Sequence, residues 1–133
     1  SYTYSNFKFT DFNDDGSDQS GNFIPGNPKH NIVLSLDTHM HSGWFARGKV
    51  QYLSSFFVNN ENTVKNDSYT ISSMAIGRQG NIGLFKWSAF LGLKILLNYS
   101  YNANTRINAS SSRYFEPAPL LNIYGGISFL YNP

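Results

Sequence analysis

The sequence predicts an all-β fold of antiparallel strands, and three observations carry this prediction. Aromatic residues make up 17% and charged residues only 14% of the 133 residues, a composition that favours strands over helices. Apolar and polar residues alternate along several segments, as they do in strands with one apolar face. Long and short connections alternate between these segments. The length allows one ordinary domain.

Composition also excludes several classes of protein. The absence of cysteine excludes disulfide scaffolds, thiolate metal sites and cysteine catalysis. The net charge of +2 is spread along the chain without a basic block, so no nucleic-acid partner is expected. No apolar run approaches the length of a membrane helix. The sequence starts at Ser1 without a methionine, and we therefore expect a processed product or a piece of a longer protein.

The alternation predicts six strands, of which the first is the least regular because its aromatic residues change parity between Tyr4 and Phe7. A short turn at residues 41–43 joins the second strand to the third, and one at residues 79–83 joins the fourth to the fifth. The predicted strands span residues 2–12, 32–40, 44–52, 68–78, 83–93 and 121–131.

The order of the connections predicts a transmembrane β-barrel. Short turns on one side and long loops on the other are typical of outer-membrane barrels, whose strands alternate between apolar outward and polar inward residues. Because the smallest bacterial barrels have eight strands, six strands would be part of a larger barrel. A self-contained small β-barrel or β-sandwich that binds a ligand is the alternative. The predicted lumen-facing residues are Asp37, Arg47, Lys49 and Gln51.

Five motifs, in order along the chain, resemble the C-terminal barrel region of TonB-dependent outer-membrane receptors. Residues 24–30 resemble the G-x-P-x-H start of a late strand, and residues 57–63 with 67–70 resemble F-V-D-N-x-N-T followed by D-S-Y-T. The other three segments are residues 93–98 with Tyr101, residues 113–119 (R-Y-[YF]-E-P-A-P) and residues 124–129 of the closing strand. The match in order and spacing covers nearly the whole chain.

This resemblance implies a 22-stranded barrel with a plugged lumen, of which residues 1–133 would form the C-terminal part. The plug domain and the TonB box would lie outside this sequence. Implied partners are outer-membrane lipid, the plug, the remaining barrel strands and, through the N-terminal part, the TonB complex. The implied function is uptake of a ferric siderophore or a similar scarce nutrient into a bacterial cell across its outer membrane, with no cofactor.

Aromatic and cationic residues in the predicted loops are candidates for binding a planar anionic ligand, since arginine donates to carboxylates in a bidentate way. The alternative is that Arg113 and Glu116 pair with each other and hold the loop. The candidate ligand-binding residues are Phe23, Arg106, Arg113, Tyr114 and Phe115.

A possible calcium loop begins at Asp11. Asp11, Asn13 and Asp15 occupy positions one, three and five of such a loop, and Gly16 occupies position six. Position twelve is Asn22 instead of glutamate, so the bidentate ligand is missing and a polar loop with turn residues is favoured. Apart from this weak calcium loop, the sequence predicts no metal site.

Catalytic motifs are absent from the sequence. There is no Gly-x-Ser-x-Gly elbow, and no second acid can be identified near Glu116 for a paired-carboxylate hydrolase. We therefore expect the protein not to be an enzyme.

Overall fold

A computed structural model describes residues 1–96, 102–109, 114–117 and 119–132. The described residues form strands, turns and bends but no helix. Accordingly, nothing in the described ranges is a helix long and apolar enough to cross a membrane. The prediction of an all-β fold is confirmed.

One six-stranded antiparallel sheet organises the chain. Its spatial order equals its order in the sequence, so each strand pairs with the strand before it and the strand after it. The sheet is thus an up-and-down meander, as the short and long connections predict. Its strands are β1 (Tyr2–Tyr4), β4 (His30–His39), β5 (Trp44–Leu53), β8 (Tyr69–Ile82), β9 (Phe85–Leu96) and β12 (Leu121–Tyr131).

Three small hairpins lie within the long connections, where the sequence predicts only polar loops. The first has Asp15 and Gly16 at its tip, both with positive φ (47° and 87°), as a type I′ turn requires. The hairpins pair β2 (Asn13–Asp14) with β3 (Ser17–Asp18), β6 (Phe56–Phe57) with β7 (Lys65–Asn66), and β10 (Asn102–Thr105) with β11 (Phe115–Pro117).

Two predicted boundaries differ most from the structure, and the fifth predicted strand also runs on to Leu96 instead of ending at residue 93. The first strand ends at Tyr4 instead of residue 12, because the chain leaves the sheet there; its next sheet-like contact is an isolated bridge from Lys8 to Phe23. The turn predicted at residues 79–83 is shorter, since the β8–β9 ladder continues to the pair Ile82–Phe85. Gly83, with φ +57°, makes a two-residue turn possible there.

The sheet is open in the described part of the chain. β1 and β12 lie at its two edges and are not paired with each other. All three long connections leave the sheet at one end, and the two tight turns lie at the other. The 22-stranded closed barrel stays a prediction.

The molecule has almost no hydrophobic core. Among the described residues, the buried hydrophobic side chains are Phe45 and Val58. The accessible surface is 9201 Å², whereas a compact soluble protein of this mass would expose about 7,000 Å². The sheet therefore presents both faces to its surroundings.

Candidate functional site

One face of the sheet is mostly apolar, and among its five long strands Arg78 is the one Lys, Arg, Asp or Glu residue on it. Residues paired across strands lie on the same face, so the register places Leu34, Val50, Ser72, Ile95 and Leu121 in one row. The side chains are well exposed, with 65% at Leu34 and 72% at Ile127. A contiguous apolar surface of this kind marks an interaction site. This apolar face also carries Ile32, Leu36, Met74, Ile76, Leu91, Leu93 and Ile123.

Aromatic residues concentrate at both ends of the apolar face. Tyr2 and Tyr52 lie at the end with the long connections, and Tyr2 is 61% exposed. Trp44, Trp87, Phe129 and Tyr131 lie toward the tight turns. Tyr124 lies on the opposite face, in one row with Arg47 and Gly92.

The opposite face is polar and charged, and it contains all four residues predicted to face a lumen. The Arg47 side chain donates from Nε to Asp37 Oδ2 at 3.1 Å, and His39 Nε2 lies 3.2 Å from Asp37 Oδ1. The Gln51 side chain donates from Nε2 to Asn31 Oδ1 at 3.2 Å. That this polar face lines a lumen stays a prediction.

Aromatic rings cover glycines on the polar face. A Cβ atom at Gly77 would overlap the Phe45 ring, and one at Gly126 would lie 2.8 Å from the Phe90 ring. The Tyr124 ring covers Gly92 in the same way. Between these rings and the cations Arg47 and Lys49 lies an open depression of about 510 Å³. The polar face is therefore shallow, with an aromatic floor.

The structure reveals a charge separation that the sequence analysis missed. Five cations lie in the long strands, against the single carboxylate of Asp37; the other seven acidic residues lie in the long connections. Four of the five cations are on the polar face, namely Arg47, Lys49, Lys86 and Lys94. This cluster can be recognised only from the register of strand pairing, which shows which distant segments lie side by side.

The long connections contact one another and form what we call the loop cap: residues 5–29, 54–68 and 106–109. Asn60 links all three, since its Nδ2 donates to Asp14 Oδ2 (2.8 Å), its carbonyl accepts from Asn22 and its backbone N–H donates to Asn108 Oδ1 (3.0 Å). Asn62 exchanges two hydrogen bonds with the Phe23 backbone. Val58 is fully buried there.

Phe23, a predicted ligand-binding residue, lies in this loop cap. Its ring stacks near Phe57, with 6.2 Å between centroids. The ammonium groups of Lys8 and Lys29 lie 4.8 and 4.3 Å from the Phe23 centroid, within cation–π distance. A ligand approaching Phe23 would thus meet two cations.

Three other candidate ligand residues, Arg106, Tyr114 and Phe115, lie in or beside the strands of the β10–β11 hairpin. Arg106 donates from Nε and Nη2 to Glu116 Oε1 at 3.0 and 2.5 Å, so Arg106 is one partner of this glutamate; its pairing with Arg113 stays a prediction. Arg113 lies outside the described residues. The Tyr114 and Phe115 rings are neighbours at 6.1 Å. A Cβ atom added at Gly26 would lie 3.1 Å from the Ile107 side chain, so this hairpin lies close to the Phe23 loop.

Residues of the possible calcium loop form the turn of the first hairpin. Asn13 Oδ1 accepts a hydrogen bond from the Gly16 backbone at 2.8 Å, and Asp15 occupies the hairpin tip with positive φ. In the described ranges, no three His, Cys, Asp or Glu side chains are grouped to hold a metal ion. Asn13 and Asp15 therefore help to form the turn of the first hairpin, and the weak calcium loop that includes Asp11 stays a prediction.

A comparison with models of known protein families finds none that matches this sequence. The resemblance to TonB-dependent receptors therefore stays a prediction based on the five motifs.

Proposed function

We propose that this chain forms part of the wall of a bacterial outer-membrane β-barrel. The observation that carries the proposal is the uncovered apolar face on five consecutive long strands. These strands have 10, 10, 14, 12 and 11 residues. At roughly 3.3 Å per residue and a tilt of roughly 40°, they would cross about 25 to 35 Å, which matches the apolar layer of a bilayer.

The motif resemblance extends this proposal to a TonB-dependent receptor that takes up a ferric siderophore or similar nutrient. The aromatic and cationic residues of the loop cap support ligand capture on the side of the long connections. The alternative, a self-contained small β-barrel or sandwich, would need a second layer or a closed sheet to cover the apolar face. The described residues provide neither.

Tryptophan fluorescence tests the membrane proposal directly, because both tryptophans, Trp44 and Trp87, lie on the apolar face. We expect brominated lipids to quench their emission in reconstituted vesicles. As a matched control, Phe45→Trp in a Trp44→Phe, Trp87→Phe background places the single fluorophore on the polar face, where the quenching should largely disappear. A folded protein that stays in buffer without detergent and is not quenched by lipid contradicts the proposal.

Transport is tested in the bacterium that makes the protein. Deletion of the gene should abolish growth on at least one ferric chelate supplied as the sole iron source, and the intact gene should restore it. Unchanged growth on a panel of ferric siderophores and on other scarce nutrients would contradict uptake while leaving the membrane proposal standing.

A further inference from the structure

Arg78 is the one Lys, Arg, Asp or Glu residue that the long strands place on the apolar face, and it lies close to a tight turn. It pairs across the strands with Trp44, and its guanidinium carbon lies 5.7 Å from the centroid of the Trp44 ring, within cation–π distance. The next residue, Gln79, donates its backbone N–H to the Gly43 carbonyl at 2.9 Å. The exposed Arg78 side chain is therefore level with the turn at residues 41–43.

No carboxylate in the described part of the chain balances this cation. The ion pairs found there use other cationic groups, namely His39–Asp37, Arg47–Asp37 and Arg106–Glu116. A charged residue on a lipid-facing surface is costly at the middle of the bilayer and is tolerated near the interface, where a long cationic side chain extends toward the headgroups. Arg78 is thus placed to meet an anion that the lipid itself supplies.

An open groove of about 630 Å³ lies beside Arg78 on the sheet. Two of its lining residues, Ala89 and Gly125, are small, whereas their neighbours Ile76 and Leu91 are large. Ala89 pairs with Arg78, and Ile76, Leu91 and Gly125 form the next row toward the long connections. The groove therefore extends from the guanidinium toward the middle of the apolar face.

We propose that Arg78, Trp44 and this groove bind one anionic phospholipid, with its phosphate at the guanidinium and an acyl chain in the groove. The inference rests on the proposed function, because it takes the apolar face as the lipid-facing side of a barrel wall. A guanidinium donates two parallel hydrogen bonds to a phosphate. A headgroup with net negative charge is favoured, since the long strands place no carboxylate on this face to meet the amine of a zwitterionic lipid.

The order of the two parts matches the orientation of a lipid in the leaflet on the side of the tight turns. Along β8, Arg78 lies nearer to the tight turn than Ile76 does, so the headgroup faces that boundary and the acyl chain faces the bilayer centre. Tryptophan is enriched at membrane interfaces because its ring is apolar and its N–H is polar. Trp44 is thus a suitable neighbour for a headgroup.

The fluorescence of Trp44 tests this site, because its ring lies beside the guanidinium. In the full 133-residue chain with Trp87→Phe, Trp44 is the single tryptophan. Phosphatidylglycerol or phosphatidylcholine with brominated acyl chains is added to this chain in detergent micelles. We expect phosphatidylglycerol to reach half-maximal quenching at about a three- to fivefold lower mole fraction than phosphatidylcholine. Salt should reduce this preference.

Two charge-removing variants identify the group responsible. Arg78→Gln should abolish the preference, so that both lipids quench Trp44 at the same mole fraction. Lys86→Gln removes the same charge from the polar face of the neighbouring strand and should keep the preference. Both side chains are exposed, so we expect both variants to fold, which circular dichroism checks.

A preference that survives Arg78→Gln, or that Lys86→Gln removes equally, overturns the lipid site. Loss of the preference in inorganic phosphate, but not in sodium chloride of equal ionic strength, would assign Arg78 to a free anion. Self-association that protects Trp44 from both lipids would assign the groove to a second copy of the chain. If both lipids quench Trp44 equally in the Trp87→Phe chain, the headgroup site fails while the membrane proposal stands. If lipid quenches neither tryptophan, both proposals fail.

Discussion

Asparagine side chains hold the loop cap together without adding charge. Asn59 is 4% exposed; its Oδ1 accepts from the backbone N–H groups of Thr63 (3.1 Å) and Val64 (3.0 Å). Its Nδ2 donates to Glu61 Oε2 and Thr63 Oγ1. An amide can donate and accept at the same time, which explains how a chain with so few charged residues orders a long polar connection.

Asn59→Ala should destabilise the loop cap by about 1 to 3 kcal/mol, because Asn59 is buried and the backbone N–H groups of Thr63 and Val64 lose its side-chain oxygen as their acceptor. The measurement is the rate of proteolysis in residues 54–68, together with urea unfolding in lipid vesicles. Asn6→Ala, at an exposed loop position, is the control and should leave both unchanged. Equal protease resistance of the two variants would contradict this role for Asn59.

Asp18 makes the stability of the first hairpin depend on pH. The Ser20 hydroxyl and then the Ser20 backbone N–H, which donates at 2.9 Å, hold the pKa of the Asp18 carboxyl below its ordinary value of 3.8. Because the pKa of Asp18 is lower in the folded state, the charged carboxyl stabilises the fold above pH 3.8. This stabilisation is lost as the pH falls through the pKa of the folded state. We expect Ser20→Ala to move the pKa back toward 3.8, as followed by NMR titration of the carboxyl carbon.

Ser17→Ala, in the same hairpin, keeps both hydrogen bonds from Ser20 and should leave the Asp18 titration unchanged. An Asp18 carboxyl that titrates at or above 3.8 in the unmodified protein would show that the Ser20 bonds do not form in solution.

For a single strand, the alternation of apolar and polar residues predicts which face of the sheet a residue lies on better than it predicts where the strand begins and ends. β12 has the predicted bounds, Leu121–Tyr131, because large apolar or aromatic residues recur at nearly every second position along it. β8 continues to Ile82 through Gln79 and Gly80, which resemble turn residues, because the facing strand β9 keeps the ladder paired. β1 is short because its backbone turns to join the loop cap after Tyr4. Strand ends thus depend on partners that the local sequence does not show.

The glycines covered by aromatic rings should tolerate no side chain. Gly77→Ala places a Cβ within the Phe45 ring and 2.6 Å from the Ala89 carbonyl oxygen. Because backbone must shift, we expect a loss of about 1 to 3 kcal/mol in the free energy of unfolding. Gly48→Ala on the neighbouring strand meets no atom within 4 Å and should be neutral or slightly stabilising.

Urea unfolding of the two variants in lipid vesicles makes the comparison. If Gly77→Ala is as stable as Gly48→Ala, the Phe45 ring does not lie over Gly77 in solution.

For the whole molecule, the sequence predicts the two faces of the sheet but not the contents of the candidate site. Face assignment needs only the two-residue period, and the register confirms it for Asp37, Arg47, Lys49 and Gln51. The excess of cations on the polar face depends on which strands become neighbours. The same holds for the contacts of the loop cap, where Asn60 and Asn108 are far apart in the chain.

A charge on the apolar face should be costly if lipid covers it. Ile76, 56% exposed, lies near the middle of this face, so Ile76→Arg should lower the free energy of unfolding in vesicles by about 2 to 4 kcal/mol. Gln79→Arg on the polar face of the same strand should cost less than about 0.5 kcal/mol. Equal and small effects of the two substitutions would indicate that water, not lipid, contacts the apolar face.

The meander also determines how the sheet can assemble. Among the described residues, each long strand pairs with the sheet strands that precede and follow it in the chain and with no other strand. Hairpins can therefore form one after another and join without any strand threading between two others. Interior strands such as β5 and β8 gain two ladders, while β12 has one. Amide hydrogen exchange should therefore be slowest in the middle of the sheet and faster along β12, with the open edge able to accept the next strand as it arrives.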